Sequence, residues 1–425
     1  MSSTFVSVLK YKDFFKLWTS QWTSQVALNM LNFALILHIY QLTNSTTAIS
    51  LVLIASAIPS VLLGPFSGVF ADRFNYKKIL ILTNFLRFVA VVLLIFAQSN
   101  VLALLEIIFI ISSVAQFFSP AEQASIPLIV PKEKLIAANS LIVTTTYATL
   151  LVGYSLAGPI MRVSSPLFLF LICGLFYLIA TLSVNRMTNY DLKETKPISL
   201  STLAPDIESI WKSTKEGIAY SLKNRQIFRM MAKLTVGWVA LGSFVVLLPG
   251  FGTSVLSLPA ELVGPYVIAP AGIGMIIAAY ILERRRKFNF DFSTNWPFLA
   301  VGLALLMFSG FKFYHTFIFS RLIVTLLVIA LGFGCSIIYI SAQTFLHIKT
   351  EGHFRGRVFG IVSMLINLAM SIPALAVGGI SDATSPFVAM VALSIFILSF
   401  GIFISLRYNQ YSEAKKSVSM MDFIA

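Results

Sequence analysis

Long apolar runs are the feature that most constrains the fold of this 425-residue chain. A membrane-spanning helix needs ~20 consecutive, mostly apolar residues. Helices are favoured at membrane depth because every backbone N–H and C=O there must find a partner within the chain. The sequence therefore predicts an all-α membrane protein with twelve transmembrane helices. They are expected at residues 14–41, 47–70, 79–98, 101–119, 139–161, 165–184, 228–249, 260–282, 295–312, 317–340, 358–380 and 386–406.

Composition excludes several functional classes. Hydrophobic residues make up 57% of the chain and charged residues only 11%, against about 25% charged in a soluble domain. A soluble enzyme or a nucleic-acid-binding module is therefore not expected, although the net charge is +14. The sequence shows no phosphate-binding Gly-rich loop with Lys-Ser/Thr and no His/Cys spacing typical of a metal site. We expect no enzyme active site, no cofactor, no metal and no nucleic-acid partner.

The distribution of basic residues predicts the orientation. With the loops assigned alternately to the two sides, 27 of the 31 Lys and Arg residues fall at the N-terminus, in the even-to-odd loops and in the C-terminal tail. Basic residues collect on the cytoplasmic side of a membrane protein. We therefore expect a multi-pass protein of a bacterial inner membrane with both termini in the cytoplasm. The main charges inside the expected spans are Arg87, Glu106 and Arg321.

One long polar connection divides the chain into six spans plus six. We expect an N-terminal bundle at 1–184, a cytoplasmic connection at 185–227 and a C-terminal bundle with a tail at 228–425. Within the connection, apolar residues between Asp206 and Leu222 approximate a helical stripe, which predicts an amphipathic helix on the membrane surface. Residues recur between the halves: Ala121 and Gly158 match Ala342 and Gly379 at an offset of 221. Internal symmetry of this kind predicts two pseudo-symmetric bundles.

The loop between the second and third spans carries a recognisable motif. Residues 68–78 read GVFADRFNYKK and resemble the signature G-x-x-x-D-R-x-G-R-[RK] of the major facilitator superfamily, in the loop where that family has it. The resemblance implies a transporter in which this loop is a conformational switch; the alternative is a plain basic loop. Asn75 replaces the usual Gly, and Asn also tolerates left-handed backbone angles. The implied switch residues are Gly68, Asp72, Arg73, Lys77 and Lys78.

A second stretch narrows the resemblance. Residues 119–127, SPAEQASIP, and residues 355–360, RGRVFG, look like loops of a branch that includes macrolide-efflux and enterobactin-exporter-like proteins. Two departures weaken the expectation of ordinary proton antiport. Gly153 is followed by Tyr154 instead of Pro, and the middle of the first span, Ala27 to Asn29, has no carboxylate.

Polar residues within the spans are candidates for lining a transport cavity. In the first span Gln21, Gln25, Asn29 and Asn32 recur at intervals of four, four and three residues and so share a helix face. Such a stripe faces either a water-filled cavity or another helix, to which its amides hydrogen-bond. The full set of cavity candidates is Gln25, Asn29, Asn32, Gln116, Tyr154, Asn367 and Ser371.

Glu106 is an intramembrane carboxylate in the expected fourth span. Three roles remain open: a proton site that couples transport to an ion gradient, an ion pair with Arg87 of the third span, or a side chain that reaches the external surface.

Together these features predict a monomeric secondary transporter that moves a small amphipathic solute across the membrane by alternating access. Export coupled to a proton gradient is the leading expectation, with membrane lipids as the surrounding partner. A lipid flippase on the same fold and a non-transporting sensor or scaffold are the alternatives.

Overall fold

The computed structural model describes residues 7–189, 200–284, 290–314 and 319–421. The all-α membrane architecture expected from the sequence is confirmed. Among the described residues, eleven helices are long and apolar enough to cross a membrane. The shorter apolar helix Asn295–Ser309 coincides with the ninth expected span.

The chain divides into two compact units. Unit 1 comprises Met1–Ile218 together with Ala260–Pro265, and unit 2 comprises Ala219–Pro259 and Tyr266–Ala425. The long helices of unit 1 are α1 (Lys12–Thr43), α2 (Thr46–Arg73), α3 (Tyr76–Ala97), α4 (Val101–Ile129), α5 (Leu135–Val163), α6 (Pro166–Asn185) and most of α7 (Leu200–Lys223). A 3₁₀ turn, Lys132–Lys134, precedes α5.

The helices of unit 2 follow without a strand among the described residues. The long ones are α8 (Arg225–Ser254), α9 (Ala269–Arg284), α10 (Phe290–Ser309), α11 (Ser320–Lys349), α12 (Gly352–Ala383) and α13 (Pro386–Met421). A short helix, Phe311–Tyr314, follows α10. A 3₁₀ turn at Ala260–Leu262 and a π-helical turn at Gly264–Ile268 precede α9. Arg321, expected within a span, lies exposed in the first turn of α11, a helix long and apolar enough to cross a membrane.

The same helix pairs recur in both units. In unit 1, α1 packs against α5 and α6, α4 packs against α2 and α3, and α3 packs against α6. In unit 2, α8 packs against α12 and α13, α11 packs against α9 and α10, and α10 packs against α13. Each pair of unit 1 therefore has a counterpart in unit 2, as expected for two pseudo-symmetric bundles.

Polar side chains at the helix starts fix several boundaries. Ser45, Asn75, Asn100 and Ser165 each accept a hydrogen bond from a backbone N–H in the first turn of the following helix. Such caps satisfy donors that the helix leaves unpaired. They also correct our interpretation of Asn75: its φ of −63° is not left-handed, and its side chain caps α3 through the N–H of Lys78.

Helix α4 is longer than the sequence suggested. The expected fourth span ended at residue 119, because Ser119-Pro120-Ala121-Glu122 looked like the start of a loop. The helix instead continues to Ile129 and includes Pro120 and Pro127. Its last turns pack into a buried apolar cluster that includes Phe118, Ala121 and Ile126. Packing therefore overrides the helix-breaking tendency of the prolines.

A six-residue segment from the second half of the sequence completes unit 1. Residues 260–265 pack against α5, where a Cβ atom on Gly158 would clash with the carbonyl oxygen of Glu261. The side chain of Glu261 also accepts a 2.7 Å hydrogen bond from Gln41 Nε2 of α1.

Helix α7 lies in the connection where a helix was expected. Its side chains at Trp211, Ile218 and Leu222 are exposed and recur at spacings of seven and four residues. They therefore lie on one helix face, as an amphipathic helix requires. Its position on a membrane surface stays a prediction.

Candidate functional site

Unit 1 contains an apolar groove between α2 and α4. Its volume is ≈ 530 Å³, and seven of its eight lining residues are apolar. The eighth is Glu106, five residues after the start of α4. The lining residues are Leu51, Ile54, Ala55, Ile58, Leu105, Glu106, Phe109 and Ile110. The groove thus presents one carboxylate in an otherwise apolar wall.

Glu106 and Arg87 are not brought together. Glu106 is exposed at the groove, whereas Arg87 is buried. Among the described residues no ion pair within 4.0 Å joins them. The ion pair with Arg87, one of the three roles left open for Glu106, is therefore not formed in the described part of the structure. The physical reason is the length of α4. Because the helix continues past residue 119, it brings Glu122 into the interior, close enough for its charge to act on Arg87. The other two roles considered for Glu106 stay predictions.

A buried polar cluster surrounds Arg87 instead. Its guanidinium carbon lies 4.9 Å from the ring centroid of Phe118 in α4 and 5.9 Å from that of Tyr177 in α6. Glu122 lies one helical turn beyond Phe118 on the same face of α4. We call Arg87, Phe118, Glu122 and Tyr177 the buried charge cluster.

The polar stripe of α1 takes part mostly in helix contacts. Gln21 is buried and donates through Nε2 to Ile142 O at 3.3 Å and to Thr146 Oγ1 at 3.0 Å, both on α5. The neighbouring residue of α1, Ser20, accepts a 3.0 Å hydrogen bond from Asn84 of α3. At these positions the interhelical alternative describes the structure better than a cavity lining.

Asn29 lies at a close approach of α1 and α5. A Cβ atom on Gly153 would lie 2.5 Å from the Asn29 Cβ and 2.9 Å from the Met30 nitrogen. Tyr154, next to Gly153, packs its ring 5.4 Å from that of Phe33. Both observations place these residues in the α1–α5 contact. Gln25 and Asn32 remain half-buried, and their role in a cavity stays a prediction.

The other cavity candidates bond within their own helices. Gln116 donates to the Ser112 carbonyl at 3.1 Å, Asn367 donates to the Ser363 carbonyl at 2.9 Å, and Ser371 donates to the Asn367 carbonyl at 2.8 Å. Gln116 belongs to unit 1, and the other two belong to α12 of unit 2. Their contact with a transported solute stays a prediction.

The expected switch residues are only partly described. Gly68, Asp72 and Arg73 lie within α2, but their side chains are outside the described part of the structure. Lys77 donates a 2.7 Å hydrogen bond to the carbonyl of Met187. Lys78 is exposed, and its backbone N–H is capped by Asn75. The switching role of these residues stays a prediction.

Glu122 is the residue that our sequence reasoning missed. It lies four residues from both Phe118 and Ile126, which are buried in the same cluster. This helical spacing was the available signal. The neighbouring Ser and Pro residues obscured it, because they are typical of a loop.

The family comparison agrees with the fold and the motif. The chain matches the family model of the Major Facilitator Superfamily over residues 17–374. The chain therefore belongs to the major facilitator superfamily. Among its relatives is an uncharacterized MFS-type transporter of Bacillus subtilis, YfiS, which is 26% identical over 353 residues that cover 80% of this chain and 79% of the relative.

Another relative matches over a shorter region. Macrolide efflux protein A of Streptococcus pyogenes is 29% identical over 126 residues, which cover 29% of this chain and 31% of the relative. Among solved structures, the nucleoside transporter NupG has a TM-score of 0.71 at 11% identity, with 93% of this chain and 99% of that chain covered. At this identity the likeness shows a shared fold.

Proposed function

We propose that this protein exports a small amphipathic cation across a bacterial inner membrane by alternating access, driven by a proton gradient. The observation that carries the proposal is the groove in unit 1. Apolar walls suit the hydrophobic part of a solute, and Glu106 suits its positive charge. Binding sites for small molecules are commonly apolar, with a few polar groups that fix the ligand's orientation.

Three further observations support the finer points of the proposal. Export is supported by the relative that is named a macrolide efflux protein. A secondary transport mechanism is supported by the two units of matching helix pairs, since repeats of this kind are usual in such transporters. A cytoplasmic location of both termini is supported by the one-sided distribution of basic residues.

Transport into proteoliposomes tests the proposal. The full-length protein is reconstituted, and uptake of tetraphenylphosphonium, an amphipathic cation, is measured under an imposed pH gradient. We expect saturable uptake. Glu106→Gln should raise the apparent KM about tenfold or more, because an interaction with a charged group contributes about 1.5–3 kcal/mol.

The matched control is Glu133→Gln, which removes an exposed carboxylate from the 3₁₀ turn between α4 and α5. It should leave KM unchanged. An equal effect of both variants would contradict a specific role for Glu106, and failure of the wild-type protein to transport any amphipathic cation would contradict the substrate class.

The same groove also favours a second candidate, lipid translocation. A groove that is apolar over most of its wall suits an acyl chain as well as a small solute. Movement of a fluorescent phospholipid between leaflets, without tetraphenylphosphonium transport, would identify a flippase. Movement of neither probe would favour a scaffold or sensor.

A further inference from the structure

The buried charge cluster holds two ionisable groups, one basic and one acidic, deep inside unit 1. Arg87 has 3% of its surface exposed and Glu122 has 5%, and Tyr177 beside them has none. Charged groups are rarely buried to this degree unless they are paired. Inside a membrane span such a residue indicates a functional role.

Arg87 and Glu122 nevertheless make no direct ion pair. No nitrogen of Arg87 lies within 4.0 Å of an oxygen of Glu122, both residues being in the described part of the structure. Arg87 Nε, Glu122 Oε1 and Tyr177 Oη all lack a hydrogen-bond partner. An unpartnered buried polar atom is costly. If both groups were ionised, a direct ion pair between Arg87 and Glu122 would be expected.

The arrangement is the one expected when the carboxyl group carries a proton. A neutral Glu122 exerts little pull on the guanidinium, which then rests against the rings of Phe118 and Tyr177. A cation–π contact attracts a guanidinium to the face of an aromatic ring, more strongly at a desolvated site such as this one. Loss of the proton would create a carboxylate, for which a direct ion pair with Arg87 is the better arrangement.

Few other charged groups face Glu122. From α3, Lys77 and Tyr76 line a small cavity of ≈ 20 Å³ together with Ser125, about one turn from Glu122 on α4. From α1, Lys16 is paired with Asp13 at 2.8 Å. The last turn of α2 carries Asp72 and Arg73, whose side chains are outside the described part, and Lys134 precedes α5. Of the described groups, Arg87 is the one whose charge acts on Glu122.

We propose that Glu122 binds the proton that couples transport to the gradient, and that Arg87 is its charge partner. Release of the proton draws the guanidinium from the Phe118 ring into an ion pair with Glu122, which shifts α3 relative to α4 within unit 1. Pro120 and Pro127 flank Glu122 and remove backbone hydrogen bonds from α4, so this part of the helix bends easily. The proposal rests on the proton coupling in the proposed function.

Infrared spectroscopy tests the proton site without a transport substrate. The carbonyl stretch of protonated carboxyl groups is recorded for the full-length protein in lipid, over a titration from acid to alkaline pH. The spectrum of the wild-type protein minus that of Glu122→Gln should show one band at acid pH, and this band should disappear at alkaline pH. Glu133→Gln, on the exposed turn before α5, serves as the control and should leave that band in place.

Transport measurements supply the second arm. Glu122→Gln should abolish pH-gradient-driven accumulation of tetraphenylphosphonium, because the amide can neither bind nor release a proton. Exchange of the probe at equal concentrations should persist, because it needs no net proton movement. Glu122→Asp retains a carboxyl group and should therefore retain both the band and part of the coupling. This variant keeps the test valid if Glu122→Gln misfolds.

The outcomes separate the two proposals. A wild-type protein that shows the titrating band but transports no amphipathic cation would refute the proposed substrate and leave the proton site standing. A band that is absent at every pH, or one that never disappears, would overturn the proton site. Full gradient-driven accumulation by Glu122→Gln would also overturn it.

Discussion

The two units share their helix pairing but differ in the polar groups that they bury. At the offset of 221 that relates Ala121 to Ala342, Glu122 of unit 1 corresponds to Gln343 of unit 2. Both alanines are fully buried, so the position in the fold is equivalent, while the carboxyl group occurs in unit 1. Unit 2 buries a cation from another helix, Lys233 of α8. Shared packing therefore sets the architecture of the two units, while local substitutions set the chemistry of each.

Removal of the buried guanidinium of Arg87 in unit 1 should lower the stability of the protein most. At alkaline pH, where Glu122 is a carboxylate, Arg87→Met leaves that charge buried without its partner, which should cost about 3 kcal/mol or more of stability. Thermal unfolding of the purified protein in detergent measures it as a lower apparent melting temperature.

Two variants sharpen this result. Arg87→Met combined with Glu122→Met should recover most of the loss, since apolar residues of similar size can replace a buried charged pair. In unit 2, Gln343→Leu should change stability by less than either single substitution in the pair. If Gln343→Leu were as damaging as Arg87→Met, the asymmetry between the units would disappear.

A smaller effect is expected at the helix contacts. Gly153→Ala places a Cβ atom 2.5 Å from that of Asn29 and 2.9 Å from the Met30 nitrogen. Because one of these neighbours is backbone, α1 and α5 must separate, at a cost of about 1–3 kcal/mol. Gly379→Ala in α12 of unit 2 is the matched control, because no atom lies within 4 Å of its added Cβ. Comparable melting temperatures for the two variants would contradict the close approach.

The smallest effect distinguishes the first helix of each unit. Asn224 caps α8 by accepting hydrogen bonds from the N–H groups of Gln226 and Ile227. The equivalent residue before α1, Tyr11, makes no side-chain cap. Asn224→Ala should therefore lower stability by about 1 kcal/mol, measured by the same unfolding assay. Asn224→Asp, which keeps the acceptor, should be close to wild type; a similar loss in both would argue against capping.

Hydropathy predicted most of this fold because the bilayer imposes a simple requirement on length and composition. The first span was expected at 14–41 and is found at Lys12–Thr43, and the sixth was expected at 165–184 and is found at Pro166–Asn185. In these helices the polar boundary residues coincide with the ends of the apolar run.

The buried charge cluster was harder to predict because its members belong to three helices. Arg87 was recognised as an intramembrane charge, but its neighbour depends on how far α4 extends. The prolines of α4 suggested an early end, and only packing against the apolar cluster around Phe118 shows otherwise. Local sequence signals do not contain that tertiary contribution.

The segment 260–265 also has a consequence for how the protein is made. Its residues belong to unit 1 but are translated after α8 of unit 2. A ribosome that has released α6 into the membrane has therefore not yet supplied all of unit 1. At about 5–20 residues per second, the nascent unit waits several seconds for Glu261 to reach Gln41. During that interval the surface of α5 around Gly158 remains uncovered and open to membrane insertases or chaperones.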